Sequence, residues 1–213
     1  MDNPKKSIAI LGAGKLGIVV AQLALKAGYK VYIAGSSSPD KIRLSVNVLA
    51  PGAIAVPAMI AINSSDIIIL ALPLGKYREL PRDALAGKLV IDAMNYWWEV
   101  DGDKSNLIGL DTSTSEMIQT YLDKSSVVKA ISHIGYHHLH DEARQRHAPE
   151  RKSIAITGNN DSDVRIVASL VDDLGFDPLV IGNLASGIRL EPGYPAFGAH
   201  VGIDELSTIL ELA

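Results

Sequence analysis

The fold of this chain is decided by the stretch Ile8-Ala9-Ile10-Leu11-Gly12-Ala13-Gly14-Lys15-Leu16-Gly17, close to its start. An apolar run ends at Leu11, three glycines follow with G-x-G-x-x-G spacing, and a segment with helical periodicity begins at once. In a dinucleotide-binding turn, the first glycine permits the tight turn and the second lets the backbone approach a pyrophosphate. The third lets the helix and the strand pack closely. We therefore predict such a turn, against the alternative that the glycines only make a tight connection.

The residues on both sides complete a strand–helix–strand unit. Residues 7–11 and 30–34 have the composition of buried parallel strands, and residues 15–27 carry apolar side chains spaced by three or four. The helix of such a unit offers its free N–H groups and its dipole to an anion, so a diphosphate is expected at its start. Further strands are predicted at 53–56, 66–72, 89–93, 127–134, 153–157 and 178–181, and further helices at 58–63, 113–122, 161–174 and 203–212.

This alternation predicts an α/β fold of the Rossmann type, with a doubly wound, mostly parallel sheet and a small C-terminal α/β extension. We place a nucleotide-binding Rossmann domain at 1–126 and the extension at 127–213, where it completes the acceptor cleft and provides a dimer contact. Residues 99–110 are predicted to be a loop. Residues 137–151 show no clear period, and 182–198 form a long loop. Its residues 184–198 cover the acceptor, complete the cleft of a partner subunit, or are a passive connection.

Composition restricts the class of protein. The 213 residues are 47% hydrophobic and 21% charged, with a formal net charge of −4, so we expect a soluble globular protein without a nucleic-acid partner. No apolar run approaches the ~20 residues that span a bilayer, and residues 1–6 lead directly into a strand. The absence of cysteine excludes disulfides and thiolate chemistry. We expect a cytoplasmic protein without a membrane partner.

The residues after the second strand indicate which nicotinamide dinucleotide fits. A site for NAD places an acidic residue there, whereas this chain has Gly35 followed by three serines at 36–38. Their hydroxyls, with Lys41 and Arg43 close behind, suit the 2′-phosphate of NADP. Ser38 followed by Pro39 is also good chemistry for a helix start, and both interpretations can hold together.

The carboxyl ends of the predicted strands should border one crevice, because ligands of open α/β sheets lie there. The turn at 12–17, the serines at 36–38, Leu72-Pro73 and residues 95–98 all occupy such ends. Asn95 is a candidate contact of the nicotinamide amide or ribose, or the start of an Asx turn. Trp97 and Trp98 offer a stacking surface for an acceptor, or a subunit contact.

These residues resemble the NADPH-dependent deazaflavin (coenzyme F420) reductases, also called F420-dependent NADP oxidoreductases. The likeness runs in order through nearly the whole chain, at 8–17, 35–36, 66–73, 127–130, 134–135, 175–178 and 190–193. It implies small Rossmann proteins, commonly dimers, that move hydride between NADP and the deazaflavin ring. It further implies that the pyrophosphate is held by Gly12, Ala13, Gly14, Lys15 and Leu16, and that the 2′-phosphate meets Ser36, Ser37 and Lys41.

The chain departs from the family pattern on the presumed acceptor side and at the phosphate motif. Ser37 stands where the family commonly has arginine, and His133 stands where a small polar residue is usual. His133, at a strand end, is a candidate proton donor to the acceptor or a hydrogen-bonded structural histidine. For His137-His138-Leu139-His140 we predict a solvated loop and no metal, because no carboxylate pattern accompanies the histidines.

The sequence therefore predicts an NADP(H)-dependent oxidoreductase that transfers a hydride between NADP and a flat acceptor cofactor of deazaflavin or flavin type. Positioning and exclusion of water supply most of what such a transfer needs. Two alternatives stay open. One is a non-catalytic NADP-binding sensor, and the other is a reductase of ferric iron or of a small carbonyl compound. A homodimer is expected in each case.

Overall fold

A computed structural model describes residues 6–102 and 112–212 of the chain. Its strands are β1 (Ser7–Leu11), β2 (Lys30–Ala34), β3 (Ile54–Ala55), β4 (Ile67–Leu70), β5 (Leu89–Asp92), β6 (Ser126–Lys129), β7 (Ser153–Gly158) and β8 (Asp177–Val180). Its α-helices are α1 (Lys15–Lys26), α2 (Asp40–Leu49), α3 (Ala58–Asn63), α4 (Arg82–Leu85), α5 (Trp98–Asp101), α6 (Thr114–Tyr121), α7 (Tyr136–Glu142), α8 (Asp161–Leu174) and α9 (Ile203–Ile209). Two 3₁₀ helices span Leu74–Glu79 and Leu184–Leu190.

The described strands form one sheet in the order β3-β2-β1-β4-β5-β6-β7-β8. The pairs from β3 to β6 are parallel, β6 and β7 are antiparallel, and β7 and β8 are parallel again. The strand order reverses between β1 and β4, and a crevice at the carboxyl ends is expected at such a switch point. The predicted Rossmann-type, mostly parallel α/β sheet is confirmed.

Both faces of the sheet are buried, which explains the continuous apolar strands. In β1, Ile8 and Ile10 belong to one core with α1, α7 and α8, whereas Ala9 and Leu11 belong to another with α3, α4 and α6. A smaller third cluster packs α9 on the C-terminal part of the sheet. Burial of apolar area drives folding. Packing in these two large cores therefore holds in place the strand ends that border the crevice.

Side-chain and glycine caps set the ends of two of the predicted helices. Ser113 and Glu116 form a capping box in which each side chain accepts a hydrogen bond from the backbone N–H of the other residue. The helix α8 begins at an Asn160 side-chain cap and ends at Gly175, whose φ of +106° lies in the left-handed region. These caps satisfy backbone groups that a helix end leaves unpaired.

Three segments differ from the sequence prediction. The strand predicted at 127–134 ends at Lys129, and the chain turns at Ile131, whose φ is +64°. The segment 137–151 contains most of α7, and the segment 182–198 contains a 3₁₀ helix. Residues 99–101 of the predicted loop continue α5, whereas residues 103–110 lie outside the described part.

The boundary placed at 126/127 falls within β6, inside the continuous sheet, so residues 127–213 add strands to the sheet that residues 1–126 begin. Within 6–102 and 112–212, none of the helices combines the length and the apolar composition that crossing a membrane requires.

Candidate nucleotide-binding site

A cleft with two adjoining lobes lies at the carboxyl ends of β1, β2, β4 and β5. The larger lobe, about 510 Å³, is lined by Leu11, Gly12, Ala13, Gly14, Ala34, Gly35, Ser36, Ile42, Ala58, Ala71, Leu72, Pro73, Lys76, Glu79, Leu80 and Pro81. The smaller lobe, about 260 Å³, is lined by Gly14, Lys15, Leu16, Ala71, Leu72, Pro73, Ala93, Met94, Asn95, Trp97, Val100 and Asp101. The lobes meet at Gly14, so the turn between β1 and α1 stands at the middle of one elongated cleft.

The three glycines of the turn answer to different constraints. At Gly12 the φ is +125° and an added Cβ would lie 2.1 Å from the Ala71 carbonyl oxygen, while a Cβ on Gly17 would lie 1.9 Å from the Gly12 carbonyl oxygen. Gly14 is different: its φ is −80°, and a Cβ there meets no heavy atom of the described residues within 4 Å. Gly12 and Gly17 are therefore required by packing within the protein. At Gly14 the protein itself leaves room, which is what a backbone that must approach a ligand would show.

The start of α1 is open to an anion. Gly14 is its N-cap residue, no side chain of residues 6–102 or 112–212 caps the first turn, and that turn contains no acidic residue. The first N–H groups of this twelve-residue helix thus lie at the junction of the two lobes, and the positive end of the helix dipole lies there too. Lys15 is exposed, and its ammonium lies 5.4 Å from the centre of the Tyr136 ring.

At the end of β2, the structure separates the predicted phosphate contacts. Ser36 lines the larger lobe, whereas Ser37 and Lys41 are exposed and lie outside its lining. Arg43 forms an ion pair of 2.9 Å with Asp40 on the surface of α2. The Ser38 hydroxyl accepts a hydrogen bond of 3.3 Å from the Asp40 amide, so Ser38 supports the start of α2.

The sequence interpretation missed the contribution of the 3₁₀ helix Leu74–Glu79 to the larger lobe. Lys76 and Glu79 are the charged residues among those lining it, and both lie on this helix. The sequence does indicate that Lys76 lies near the cleft, because it follows Pro73 by three residues after the carboxyl end of β4. Ile42 and Ala58 add apolar walls from α2 and α3.

Asn95 has the clearest unfilled hydrogen-bonding capacity in the smaller lobe. Its Nδ2 donates to the Ser132 carbonyl oxygen at 2.5 Å, which fixes the amide plane. Its Oδ1 is buried and has no hydrogen-bond partner among the described residues. The Asx turn after β5 is made instead by Asp92, whose Oδ1 accepts from the Met94 amide at 3.0 Å. A buried acceptor without a donor is costly, so a ligand N–H would relieve it.

The outer wall of the smaller lobe is held by Asp101. Its Oδ1 accepts from the Gly75 amide at 2.7 Å and its Oδ2 from the Trp97 amide at 2.9 Å. This carboxylate therefore ties α5 to the turn after β4. Trp97 lines the lobe, is 49% exposed, and meets the Phe197 ring edge-on at 5.7 Å between centroids. Trp98 is 69% exposed and lies outside the lining.

A buried ionic network lies beneath this lobe. Lys129 and Asp92 are both fully buried, with the ammonium 3.6 Å from the carboxylate. The Lys129 Nζ also donates to the Met94 carbonyl oxygen at 3.3 Å and to the Thr114 hydroxyl at 3.2 Å. Glu191, from the C-terminal extension, accepts from the Thr114 amide at 2.7 Å. The network therefore connects β5, β6, α6 and the segment that carries Glu191, next to the loop that carries Asn95.

His133 lies below the cleft, outside the lining of either lobe. It is 1% exposed, and its Nε2 accepts a hydrogen bond of 3.0 Å from the Ala155 amide. Burial, aided by the nearby Lys129 charge, lowers the pKa of His133 to about 4. The ring is thus neutral near pH 7, and the nitrogen that accepts from Ala155 carries no proton to give. This is the geometry of a hydrogen-bonded structural histidine, and the expected proton donor is not brought to the cleft.

The predicted residues therefore divide into two groups. Those brought together in the cleft are Gly12, Ala13, Gly14, Lys15, Leu16, Ser36, Leu72, Pro73 and Asn95. Those placed elsewhere are Gly17, which packs α1 on β1, the exposed Ser37 and Lys41, and the buried His133.

Comparison with solved structures gives the same fold. The hypothetical protein SMa0349 from Sinorhizobium meliloti superposes with a TM-score of 0.80 at 22% identity, covering 92% of this chain and 95% of its own. A candidate F420-dependent NADP reductase from Arthrobacter sp. FB24 gives 0.71 at 20% identity, covering 86% and 88%. The 3-hydroxyisobutyrate dehydrogenase of Mycobacterium tuberculosis gives 0.62 at 17% identity, covering 86% of this chain and 57% of its own. Identities this low establish the fold alone.

Comparison of sequences finds a similarity to one family in the N-terminal part of the chain. No curated protein matches the chain. Residues 7–96 match the sequence model of the family described as "NADP oxidoreductase coenzyme F420-dependent", and this range contains the glycine turn, Ser36, the end of β4 and Asn95. Over these residues, which are less than half of the chain, the sequence is similar to the NADP oxidoreductases of this family.

Proposed function

We propose that the chain transfers a hydride between NADP(H) in this cleft and a flat acceptor cofactor of deazaflavin or flavin type. The supporting observation is the chemistry of the smaller lobe, whose described lining is mostly apolar. Its two charged residues are engaged elsewhere, since Asp101 accepts from two backbone amides and Lys15 lies over Tyr136. A transfer between two cofactors needs positioning and dryness, not an acid or base from the protein.

The chain's own groups fit an extended dinucleotide. The amides that open α1 would hold the diphosphate over Gly14, where the structure leaves room beside the backbone. The larger lobe would take the adenosine half, and the smaller lobe the nicotinamide, which supplies the hydride when reduced. Asn95 Oδ1 would accept a hydrogen bond from the carboxamide N–H, and the Asn95–Ser132 bond holds that oxygen in place.

The NADP preference is assigned to Ser36 and Lys76 in the larger lobe. Among the described residues that line this lobe, Lys76 carries the positive charge and Ser36 offers a hydroxyl at the end of β2. Ser37 and Lys41, exposed beside the lobe, remain proposed outer contacts of the 2′-phosphate.

Ser36→Asp is expected to reverse the cofactor preference. A carboxylate at this position repels the 2′-phosphate and accepts hydrogen bonds from the free ribose hydroxyls of NADH. The ratio of NADPH to NADH dissociation constants should change by about 100-fold in fluorescence titrations. Ser45→Asp adds the same charge on the exposed face of α2, outside the lobe, and should leave the ratio nearly unchanged. An unaltered preference in Ser36→Asp would remove Ser36 from the site.

The acceptor is assigned to the open side of the smaller lobe, against Trp97. We expect rapid NADPH oxidation at 340 nm with a deazaflavin or a flavin, and slow oxidation with ferric chelates and small carbonyl compounds. Trp97→Ala should raise the acceptor KM roughly three- to tenfold through lost ring contact, with NADPH affinity retained. Trp98→Ala is the matched control, because Trp98 lies outside the lobe.

Two results would contradict this assignment. Fastest turnover with a ferric chelate or a carbonyl compound would favour the reductase alternative. Tight NADPH binding with no turnover on any acceptor would favour the sensor.

We further propose a cytoplasmic homodimer, following the family resemblance. Light scattering that gives the mass of one chain would contradict the dimer.

A further inference from the structure

Three side chains with metal-ligating groups converge at one side of the molecule, away from the cleft lining. They are His138 and Glu142 on α7 and His200 in the segment just before α9, and their ligand atoms lie within 4.8 Å of one another. His138 and Glu142 share one helix face because they are four residues apart. His200 comes from a segment about sixty residues later, so no local spacing in the sequence indicates the cluster.

The two imidazoles are already oriented by acceptors. His138 Nδ1 lies 2.9 Å from a Glu142 carboxylate oxygen, and His200 Nδ1 lies 3.3 Å from the Gly198 carbonyl oxygen. The rings are stacked at 3.7 Å between centroids with 8° between their planes. A cation could replace the proton between His138 Nδ1 and Glu142, so that this nitrogen and the carboxylate would both be ligands of the metal.

Glu142 provides an independent indication. Its Oε2 is buried and has no hydrogen-bond partner among the described residues. The nearest cation, the Lys152 ammonium, is 3.9 Å away and therefore beyond hydrogen-bonding distance. A buried carboxylate oxygen without a donor is costly, and a bound cation would satisfy it. Lys152 is 30% exposed, so its long side chain can turn out to solvent when a cation enters.

We propose that His138, Glu142 and His200 bind one divalent transition-metal cation, with Zn²⁺ the best match. Two imidazoles and one carboxylate with a water in the fourth position form a well-known type of ligand set for Zn²⁺. Zinc–nitrogen bonds of about 2.1 Å require the ligand atoms to draw together by roughly an ångström. His200 supplies this movement, because it is exposed and follows Gly198, whose φ is +85°.

The ion has a structural role that is independent of hydride transfer. α7 packs on α1, and its first residue, Tyr136, lies beside Lys15 at the end of the cleft. The Gly198 amide already donates to the His133 carbonyl oxygen at 2.7 Å, which joins the segment before α9 to the chain before α7. A cation held by residues of both segments locks this junction. Binding to the folded state alone stabilises it by mass action.

The test uses the full chain without a histidine tag, freed of metal with EDTA. Titration with Co²⁺ should give visible d–d absorption that saturates at one ion per chain, and Zn²⁺ should displace it. Excess Zn²⁺ should raise the thermal midpoint by about 5 °C or more. His200→Asn and Glu142→Gln should each weaken Co²⁺ binding at least tenfold. His140→Asn is the control on the same helix, since His140 is exposed and pairs with Asp141 at 2.7 Å.

The outcomes are separable. Metal-free His200→Asn should keep the parent's thermal midpoint, because His200 is exposed, so this variant decides the question even where Glu142→Gln fails to fold. Stoichiometric Co²⁺ binding that His200→Asn weakens and His140→Asn preserves supports the site. Absence of saturable binding, or equal binding by the parent and His200→Asn, overturns it. Failure of NADPH oxidation leaves this test unaffected.

Discussion

Lys129→Met is expected to lower the free energy of unfolding by about 3–5 kcal/mol. Methionine keeps much of the length of the lysine stem but removes the ammonium, which lies 3.6 Å from the fully buried Asp92 carboxylate. Removing one partner of a buried pair strands the other charge in a medium that solvates it poorly. The Thr114 hydroxyl and the Met94 carbonyl oxygen lose a donor in the same step.

Urea unfolding followed by circular dichroism measures this loss. Lys88→Met is the control: Lys88 is partly buried and donates one hydrogen bond of 2.8 Å to the Ser65 carbonyl oxygen, so about 1 kcal/mol is expected. Adding Asp92→Asn to Lys129→Met should recover part of the stability, because the stranded charge is then removed. A Lys129→Met protein within about 1 kcal/mol of the parent would show that the buried pair is not held as the structure describes.

The residues around the glycine turn were predictable because their signals are local. The bounds of β1 and β2 agree with the sequence prediction, and α1 ends one residue early, at Lys26. A strand buried on both faces must be continuously apolar, and a turn with a φ of +125° at Gly12 must be glycine. The capping box at Ser113 can likewise be recognised from four consecutive residues of the sequence.

The buried network and α7 were not predictable, for a different reason. Asp92, Lys129 and Glu191 are distant along the chain, and only the strand order brings them together. The helix α7 buries Leu139 alone, so its sequence shows too few apolar positions for a helical period. Tertiary packing decides such elements, and sequence patterns record it weakly.

His133 shows how a small error in a strand end changes a functional assignment. The apolar run at 127–134 predicts a strand that reaches the crevice, with His133 at its edge. The strand stops at Lys129, and the positive φ of Ile131 turns the chain beneath the cleft. His133 then accepts from the Ala155 amide inside the protein. The prediction of no metal at 137–140 rests on the same kind of local evidence, whereas the proposed metal site includes His200, about sixty residues later.

Gly14→Val is expected to weaken NADPH binding by about 100-fold while leaving the fold unchanged. The backbone at Gly14 is extended, with a φ of −80°, and an added Cβ meets no protein atom within 4 Å. A valine side chain would therefore occupy the junction of the two lobes, where the α1 amides are proposed to hold the diphosphate. Those charge-assisted hydrogen bonds are the strongest contacts that the cleft offers an anion.

Gly202→Val is the matched control, because Gly202 is also an extended helix N-cap, with a φ of −71°, outside the lining of both lobes. Both variants carry the same cost in stability of a β-branched residue at an N-cap. A difference in NADPH affinity between them is therefore due to the position of the valine relative to the bound nucleotide. The decisive measurement is a fluorescence titration of each protein with NADPH, with circular dichroism confirming the fold. The account predicts parental affinity for Gly202→Val and about 100-fold weaker binding for Gly14→Val. Parental affinity in a folded Gly14→Val protein would contradict it, because the diphosphate would then bind elsewhere.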